Sequence, residues 1–147
     1  MINMKKSNER GFSLIEILIA ITVFAIGILA VGNMQITAIK GNSFANDLTK
    51  ATTLAQDKME KLIGLSYDDT DSLDDTDTDD EAGLDDTSVA ADYNDPNNPV
   101  DGRYNIFWNI ATDYPINNTK EIRVIIRWTD KGAEKKVSIT SMKAITI

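Results

Sequence analysis

One uninterrupted apolar segment constrains the fold of this chain more than any other feature. Residues 17–32 carry no charge, and Thr22 is their only polar side chain. Residues 12–32 together form a run of 21 residues. This length is enough to cross a hydrocarbon core of about 30 Å, because a helix rises about 1.5 Å per residue. We therefore expect a membrane-spanning helix near the N-terminus.

The residues on either side of this segment predict its orientation in the membrane and whether it is removed by cleavage. Lys5, Lys6 and Arg10 precede the segment, and the next basic residue is Lys40. This asymmetry predicts a cytoplasmic N-terminus. No small-residue cleavage site of the Ala-x-Ala type follows the segment. We therefore interpret it as a retained anchor and not as an ordinary secretory signal.

A single carboxylate, Glu16, lies near the start of the apolar segment. Inside a membrane a charged side chain costs about 2.5–3.5 kcal/mol on insertion scales, and such residues usually have a function. The alternative is a charge at the level of the lipid headgroups, where the cost is small. The periodicity of the segment alone leaves both interpretations open.

The composition of the chain excludes several classes of site. The 147 residues include no Cys and no His, which rules out thiolate or imidazole zinc sites, Cys nucleophiles and Ser-His-Asp triads. The net charge of −8 argues against nucleic acid as a partner, because phosphate binding needs a basic face. No motif points to an enzyme, and we expect neither catalysis nor a cofactor.

Helical periodicity continues beyond the apolar segment, with one apolar stripe. Polar residues occupy the opposite side of this predicted helix, and no Pro occurs before Pro96. We therefore predict one helix from about Ser13 to Leu62, with an amphipathic second half that packs against a domain. The stripe recurs at steps of three and four residues and consists of Phe44, Leu48, Ala51, Ala55, Met59 and Leu62.

An acidic segment follows the helix. Residues 68–86 hold 11 acidic side chains in 19 residues and no Lys or Arg, which predicts a solvated, mobile loop. The alternative is calcium binding, because Asp75, Asp77 and Asp79 repeat the alternating oxygens of an EF-hand loop. However, Asp80 stands where that loop needs Gly, and Asp86 stands where it needs Glu. We therefore favour the solvated loop.

The last third of the chain alternates between apolar and polar residues, as β-strands do. Residues 104–110, 122–128 and a run that begins at Val137 show this pattern. Between the last two runs, the sequence TDKGAE predicts a hairpin turn in which Gly132 takes the left-handed conformation. A shift of phase in the last run indicates a bulge near Ser141. We expect a three-stranded antiparallel meander that covers the helical stripe, which is an α+β fold.

The sequence GFSLIE, residues 11–16, follows a short basic leader and opens the apolar segment. This arrangement resembles the class III signal of type IV pilins and type II secretion pseudopilins, in which Thr is usual at the position of Ser13. The resemblance implies that a prepilin peptidase cuts between Gly11 and Phe12 and N-methylates Phe12. It also implies that Glu16 pairs with the ammonium of Phe12 on a neighbouring subunit and sets the docking register.

The C-terminal pattern also carries a resemblance. Gly-Arg-Tyr at 102–104, a strand, a second strand that ends in Trp128, a short turn and a final strand resemble the PilV-like minor pilins, the type IV pilus modification proteins. The resemblance implies the pilin fold. The predicted organisation is a removed leader (1–11), the membrane or filament-core half of the helix (12–33), its amphipathic half (34–65), an acidic loop and turn-rich connection (66–102) and an antiparallel sheet (103–147).

The resemblance implies a non-enzymatic minor pilin that primes assembly of a type IV pilus. The expected partners are the prepilin peptidase, other minor pilins, the major pilin and the pilus assembly platform. The expected location is the inner membrane, with a periplasmic domain, and then the pilus at the cell surface. Two alternatives remain open: a minor pseudopilin of a type II secretion system, and a membrane-anchored periplasmic binding domain.

Overall fold

A computed structural model describes residues 11–74 and 83–145 of the chain. The described strands form one antiparallel sheet in the order β1-β2-β3-β4. The predicted α+β fold, one long helix and a small antiparallel sheet, is confirmed. The elements are α1 (Leu14–Gly64), a 3-10 turn (Gly83–Asp85), β1 (Tyr93–Asn94), β2 (Asn105–Thr112), β3 (Thr119–Asp130) and β4 (Ala133–Ala144).

The chain divides into two compact units, of which the first ends at Ser43 and the second begins at Phe44. The described part of the first unit is the beginning of α1, and almost all of its side chains are exposed. A helix satisfies its backbone hydrogen bonds within itself, so this segment needs no neighbour to complete them.

In the second unit, one stripe of α1 packs against the inner face of the sheet. The buried residues of the stripe are Asp47, Ala51, Ala55, Met59 and Leu62. The strand residues that meet them alternate along β2 and β3, as the sequence predicts; they are Tyr104, Ile106, Trp108, Ile110, Ile122, Val124, Ile126 and Trp128.

The predicted stripe is wrong at its N-terminal end. Phe44 and Leu48 remain 40% and 38% exposed, although both have the spacing of the buried positions. The buried surface begins instead at Asp47, which is 4% exposed. Periodicity identifies which side of a helix is apolar, but the length of the covering sheet decides how much of that side is buried.

The hairpin between β3 and β4 has the predicted turn. Asp130 pairs with Ala133 across the turn, and both Lys131 (φ 51°) and Gly132 (φ 81°) are left-handed. The predicted bulge near Ser141 is wrong, because the β3–β4 register continues without interruption from this turn to the far end of β4. Met142 breaks the apolar pattern for a simpler reason: it lies on the outer face and is exposed.

The acidic segment, predicted as a solvated, mobile loop, keeps its described acidic side chains exposed or half-buried, but contrary to the prediction it is anchored to the sheet at both ends. Leu73 and Leu84 are buried, one at each end of the segment. On the outer face of the sheet, the Asn109 amide donates hydrogen bonds to the carbonyls of Leu84 (3.0 Å) and Asp86 (2.9 Å). The calcium candidates Asp75, Asp77 and Asp79 lie outside the described residues.

Two further hydrogen bonds hold the first end of this segment. The Trp108 indole N–H donates to the carbonyl of Ser72 at 2.9 Å, and the Lys120 ammonium donates to the carbonyl of Leu73. These donors lie on β2 and β3, so the sheet fixes the chain directly after α1.

Candidate functional site

The predicted processing site lies just before α1. Gly11 and Phe12 have no regular secondary structure and are exposed, with Phe12 at 79%. Ser13 caps the helix: its carbonyl accepts the N–H groups of Glu16 (3.0 Å) and Ile17 (3.3 Å), and its hydroxyl lies 3.4 Å from the Glu16 nitrogen. The peptide bond between Gly11 and Phe12 is therefore outside the helix and accessible.

Glu16 occupies the third position of α1, at the end of the helix where its dipole is positive. The sequence Ser-x-x-Glu is that of a capping box, and the Ser13 half of the box is formed. The Glu16 side chain is exposed. Its position is thus favourable for the isolated helix and also leaves the carboxylate available to a partner.

The surface of α1 that follows Glu16 is apolar and exposed. Among the described residues, α1 is the one helix that is long and apolar enough to cross a membrane, judged by length and composition. The large apolar side chains on this surface extend from Leu14 to Ile39. In water such a surface is costly, so it needs either lipid or other apolar helices around it.

A charged clamp begins the contact between the second half of α1 and the sheet. The two carboxylate oxygens of Asp47 accept hydrogen bonds from two nitrogens of Arg103, at 2.8 and 2.7 Å. The Tyr104 hydroxyl lies 3.4 Å from the same carboxylate. Burial, together with the Asp47 charge, raises the pKa of Tyr104. This two-point pairing fixes both the distance and the orientation of the helix at this level.

The clamp explains the Gly-Arg-Tyr pattern in structural terms. Gly102 adopts φ 66°, a conformation that favours Gly, and thereby turns the chain so that Arg103 reaches α1. In the preceding residue, the Asp101 carboxylate forms an ion pair with Lys50 at 2.8 Å. The sequence pattern identifies Arg103 and Tyr104 but not their partner, Asp47. The available signal was an acidic residue four positions before Ala51, on the apolar stripe itself.

A second polar contact lies further along α1. The Lys58 ammonium is 3.5 Å from the centre of the Trp108 ring and 3.5 Å from the Asp95 carboxylate. Burial lowers the pKa of Lys58, although Asp95 opposes this shift. Burial alone would raise the pKa of Asp95, but hydrogen bonding by Asn97 and the charge of Lys58 hold it below its ordinary value.

The C-terminal end of α1 is also held by a charge that the sequence did not reveal. The Lys143 ammonium, on β4, donates to the carbonyls of Ile63 (2.6 Å) and Leu65 (2.7 Å). A cation at this end is favourable because the last helical carbonyls lack partners and the dipole is negative there. Asp47 and Lys143 thus hold the two ends of the packed half of α1.

The described residues offer no metal site. No group of three or more acidic side chains in residues 11–74 and 83–145 has an arrangement that could hold a metal ion. The exposed residues Gly11, Phe12 and Glu16, together with the exposed apolar surface that follows, form the candidate functional site.

Comparison with known families supports this site. The prokaryotic N-terminal methylation motif matches residues 6–32, about a fifth of the chain. No curated protein and no solved structure is significantly similar to the chain. The N-methylation motif of type IV pilin-like proteins, with its class III signal peptide, is thus present. It supports a pilin or a pseudopilin, and it suggests a structural subunit and not an enzyme.

Proposed function

We propose that this protein is a minor pilin of a type IV pilus, a subunit that primes assembly in the inner membrane and then enters the filament. The observation that carries the proposal is the methylation motif at 6–32, which includes the first part of an exposed apolar helix. The second unit buries its core of apolar side chains, whereas the apolar side chains in the described part of the first unit are exposed.

Processing is the first step of the proposed function. A prepilin peptidase cuts the peptide bond between Gly11 and Phe12 and methylates the new amino group. Two features support this role: the bond lies outside α1, and Gly11 has no side chain to exclude it from a narrow active site. The helix itself begins at Leu14, so removal of the leader leaves it intact.

Docking is the second step. The ammonium of Phe12 in one subunit pairs with the Glu16 carboxylate of its neighbour as apolar helices leave the lipid and bundle. An unpaired charge in such a bundle is costly, so the pair fixes the axial register of one subunit on the next. Glu16 is exposed at the start of α1, and this position supports its docking role.

The proposed location follows from the anchor and its flanking charges. The protein crosses the inner membrane once, with a cytoplasmic N-terminus and a periplasmic C-terminal domain. Its partners are the prepilin peptidase, other minor pilins, the major pilin and the assembly platform. The same motif also fits a minor pseudopilin of a type II secretion system, which would use the same processing and docking chemistry. A third candidate, an anchored periplasmic binding domain, would keep its leader.

The mass of the N-terminal peptide tests the proposed function. Protein extracted from membranes should begin at N-methylated Phe12, and Gly11→Val should leave the leader attached. Gly27→Val is the matched control, because a Cβ at Gly27 meets nothing within 4 Å and the position is far from the cut. Mature protein that still begins at Met1 would contradict the pilin and the pseudopilin alike. Identification of the co-purifying subunits then separates the pilus from the secretion system.

A further inference from the structure

The two edges of the sheet are protected very differently. At one edge, β1 has 2 residues, and Pro96 and Pro99 follow closely after it. At the other edge, β4 has 12 residues, no Pro, no Gly and no bulge. Proteins usually shorten, bend or interrupt an edge strand, because its free backbone groups can pair with another chain. β4 has none of these three protections; its lysines are a different one, because they repel a second basic strand but not an acidic one.

The register shows which backbone groups of β4 are free to pair. Asp130 and Ala133 close a two-residue turn and therefore form a hydrogen-bonded pair. Because such pairs alternate along an antiparallel ladder, Lys136, Ser138 and Thr140 direct their N–H and C=O groups away from β3. Among the described residues, no strand lies on that side of β4. The side chains of these three residues are exposed on the outer face.

The middle of the inner face of this edge, at Val137 and Ile139, is apolar and incompletely covered. Val137 and Ile139 pack against the core but remain partly exposed. Leu48 and Phe44 of α1 are also exposed, and Lys135 of β4 lies 5.9 Å from the Phe44 ring. An added strand would place every second side chain beside these apolar residues, on the inner face.

The charges of the edge are mainly positive. Lys131 lies in the turn and Lys136 on the outer face of β4, whereas Lys135 and Lys143 lie on the inner face, where Lys143 already donates to the end of α1. The one acidic residue of β4, Glu134, is paired with Arg127 on β3. A second copy of β4 would bring the same lysines to the edge. An acidic strand is complementary to them.

We propose that the free edge of β4 is a docking site for one extended segment of another protein, a segment that alternates apolar and acidic residues. The main chain of the segment pairs with Lys136, Ser138 and Thr140, its apolar side chains cover Val137 and Ile139, and its acidic side chains face Lys136. This inference does not depend on the processing or the filament role proposed above.

A peptide probe tests the proposal with the full chain in detergent micelles. The probe is a short capped peptide that alternates valine and glutamate. Two comparison peptides serve as controls: a valine–lysine peptide, which has the opposite charge, and a backbone N-methylated valine–glutamate peptide, which cannot pair through its main chain. We expect the first peptide to slow amide hydrogen exchange at Lys136, Ser138 and Thr140. It should bind at least about tenfold more tightly than either comparison peptide. Equal binding of the acidic and basic peptides, or no added protection of these amides, would overturn the proposal.

Two pairs of variants sharpen this test. Ser138→Pro removes one outward N–H while leaving the β3 side of the ladder intact, whereas Ser138→Val keeps that N–H. Lys136→Glu reverses the charge, and Lys136→Gln only removes it. Ser138→Pro and Lys136→Glu should each weaken binding by about tenfold or more, and Ser138→Val should not. Should Ser138→Pro fail to fold, the Lys136 pair and the N-methylated peptide still decide the outcome. Protection of the same amides without peptide, in a concentration-dependent dimer, would show that a second copy occupies the edge.

Discussion

The two halves of α1 belong to one continuous helix but have opposite surroundings. From Leu14 to Ser43 the side chains are mostly apolar and almost all exposed, whereas from Phe44 to Gly64 a stripe is buried against the sheet. The first half contains two charged side chains, Glu16 near its start and Lys40 near its end, and the second half contains many of both signs. A helix can thus gain its stability in two ways, from its own domain or from apolar surroundings outside the chain.

The two halves also differ in where their carboxylates can find a partner. In the second half, Asp47 is paired within the chain by Arg103, so its charge fixes the helix on its own domain. In the first half, Glu16 is exposed and is available to a partner outside the chain.

Removal of the first half of α1 should make the protein soluble without detergent. A fragment of residues 44–147 keeps the buried stripe and the whole sheet, so it should be soluble without detergent and unfold cooperatively. The full chain should sediment with membranes and need detergent. Analytical centrifugation and thermal unfolding of the two proteins check this prediction. A fragment that is unfolded would show that the second half of α1 depends on the first.

Replacement of Glu16 should abolish assembly and leave the subunit otherwise intact. Glu16→Ala makes the apolar segment more apolar, so insertion should be at least as efficient, and the cleavage site at Gly11 and Phe12 is unchanged. Docking should fail because the partner ammonium would remain unpaired in an apolar bundle.

Three measurements check the Glu16 prediction: the N-terminal mass, membrane fractionation and co-purification of other minor pilins. Glu16→Asp should be intermediate, since it keeps the charge but shortens its reach. If Glu16→Ala assembles as well as the parent, the carboxylate is a charge at the membrane edge, and the docking role is wrong.

The contrast between the halves also explains how much the sequence could predict. The sequence predicts the start of α1 because the signals there are local: a short motif, an apolar run and flanking charges within about thirty residues. The sequence also predicts β2 and β3, because apolar and polar side chains alternate with a period of two along a strand with one buried face. Because the motif is local, Gly11, Phe12 and Glu16 could be proposed as site residues without knowledge of the fold.

What the sequence could not reveal depends on contacts between distant residues. Leu73 and Leu84 stand alone among acidic and polar residues, and only the inner and outer faces of the sheet that receive them make them core residues. Lys143 looks like an ordinary surface charge, and Asp47 stands out only by its place on the apolar stripe, so neither residue reveals its partner before the fold brings the helix end and Arg103 close. Isolated apolar or charged residues carry no period, so their roles follow from tertiary packing alone.

Loss of the clamp should destabilise the second half of α1. Arg103→Ala leaves the buried carboxylate of Asp47 without its main partner, at a cost of about 3 kcal/mol in the free energy of unfolding. Denaturant unfolding of the 44–147 fragment measures the change. The double variant Asp47→Ala with Arg103→Ala should recover part of the loss, because no unpaired charge remains. Lys50→Ala is the control, since its exposed pair with Asp101 should contribute little. A loss no larger than that of the control would contradict the role of the clamp.

The smallest expected effect concerns pH and the contact of Lys58 with Asp95. The folded-state pKa of Asp95 is below its ordinary value of 3.8, so the ionised carboxylate stabilises the fold at pH above 3.8. That contribution should disappear as the pH falls through the lowered pKa, because the carboxyl then binds a proton in both states. Asp95→Asn keeps an oxygen for the Asn97 N–H but removes the attraction for Lys58. The variant should therefore be less stable than the parent at neutral pH, and the two should converge as the pH falls well below 3.8. Thermal unfolding of both proteins across this range measures the difference, and a gap that stays constant with pH would show that the Asp95 charge contributes nothing.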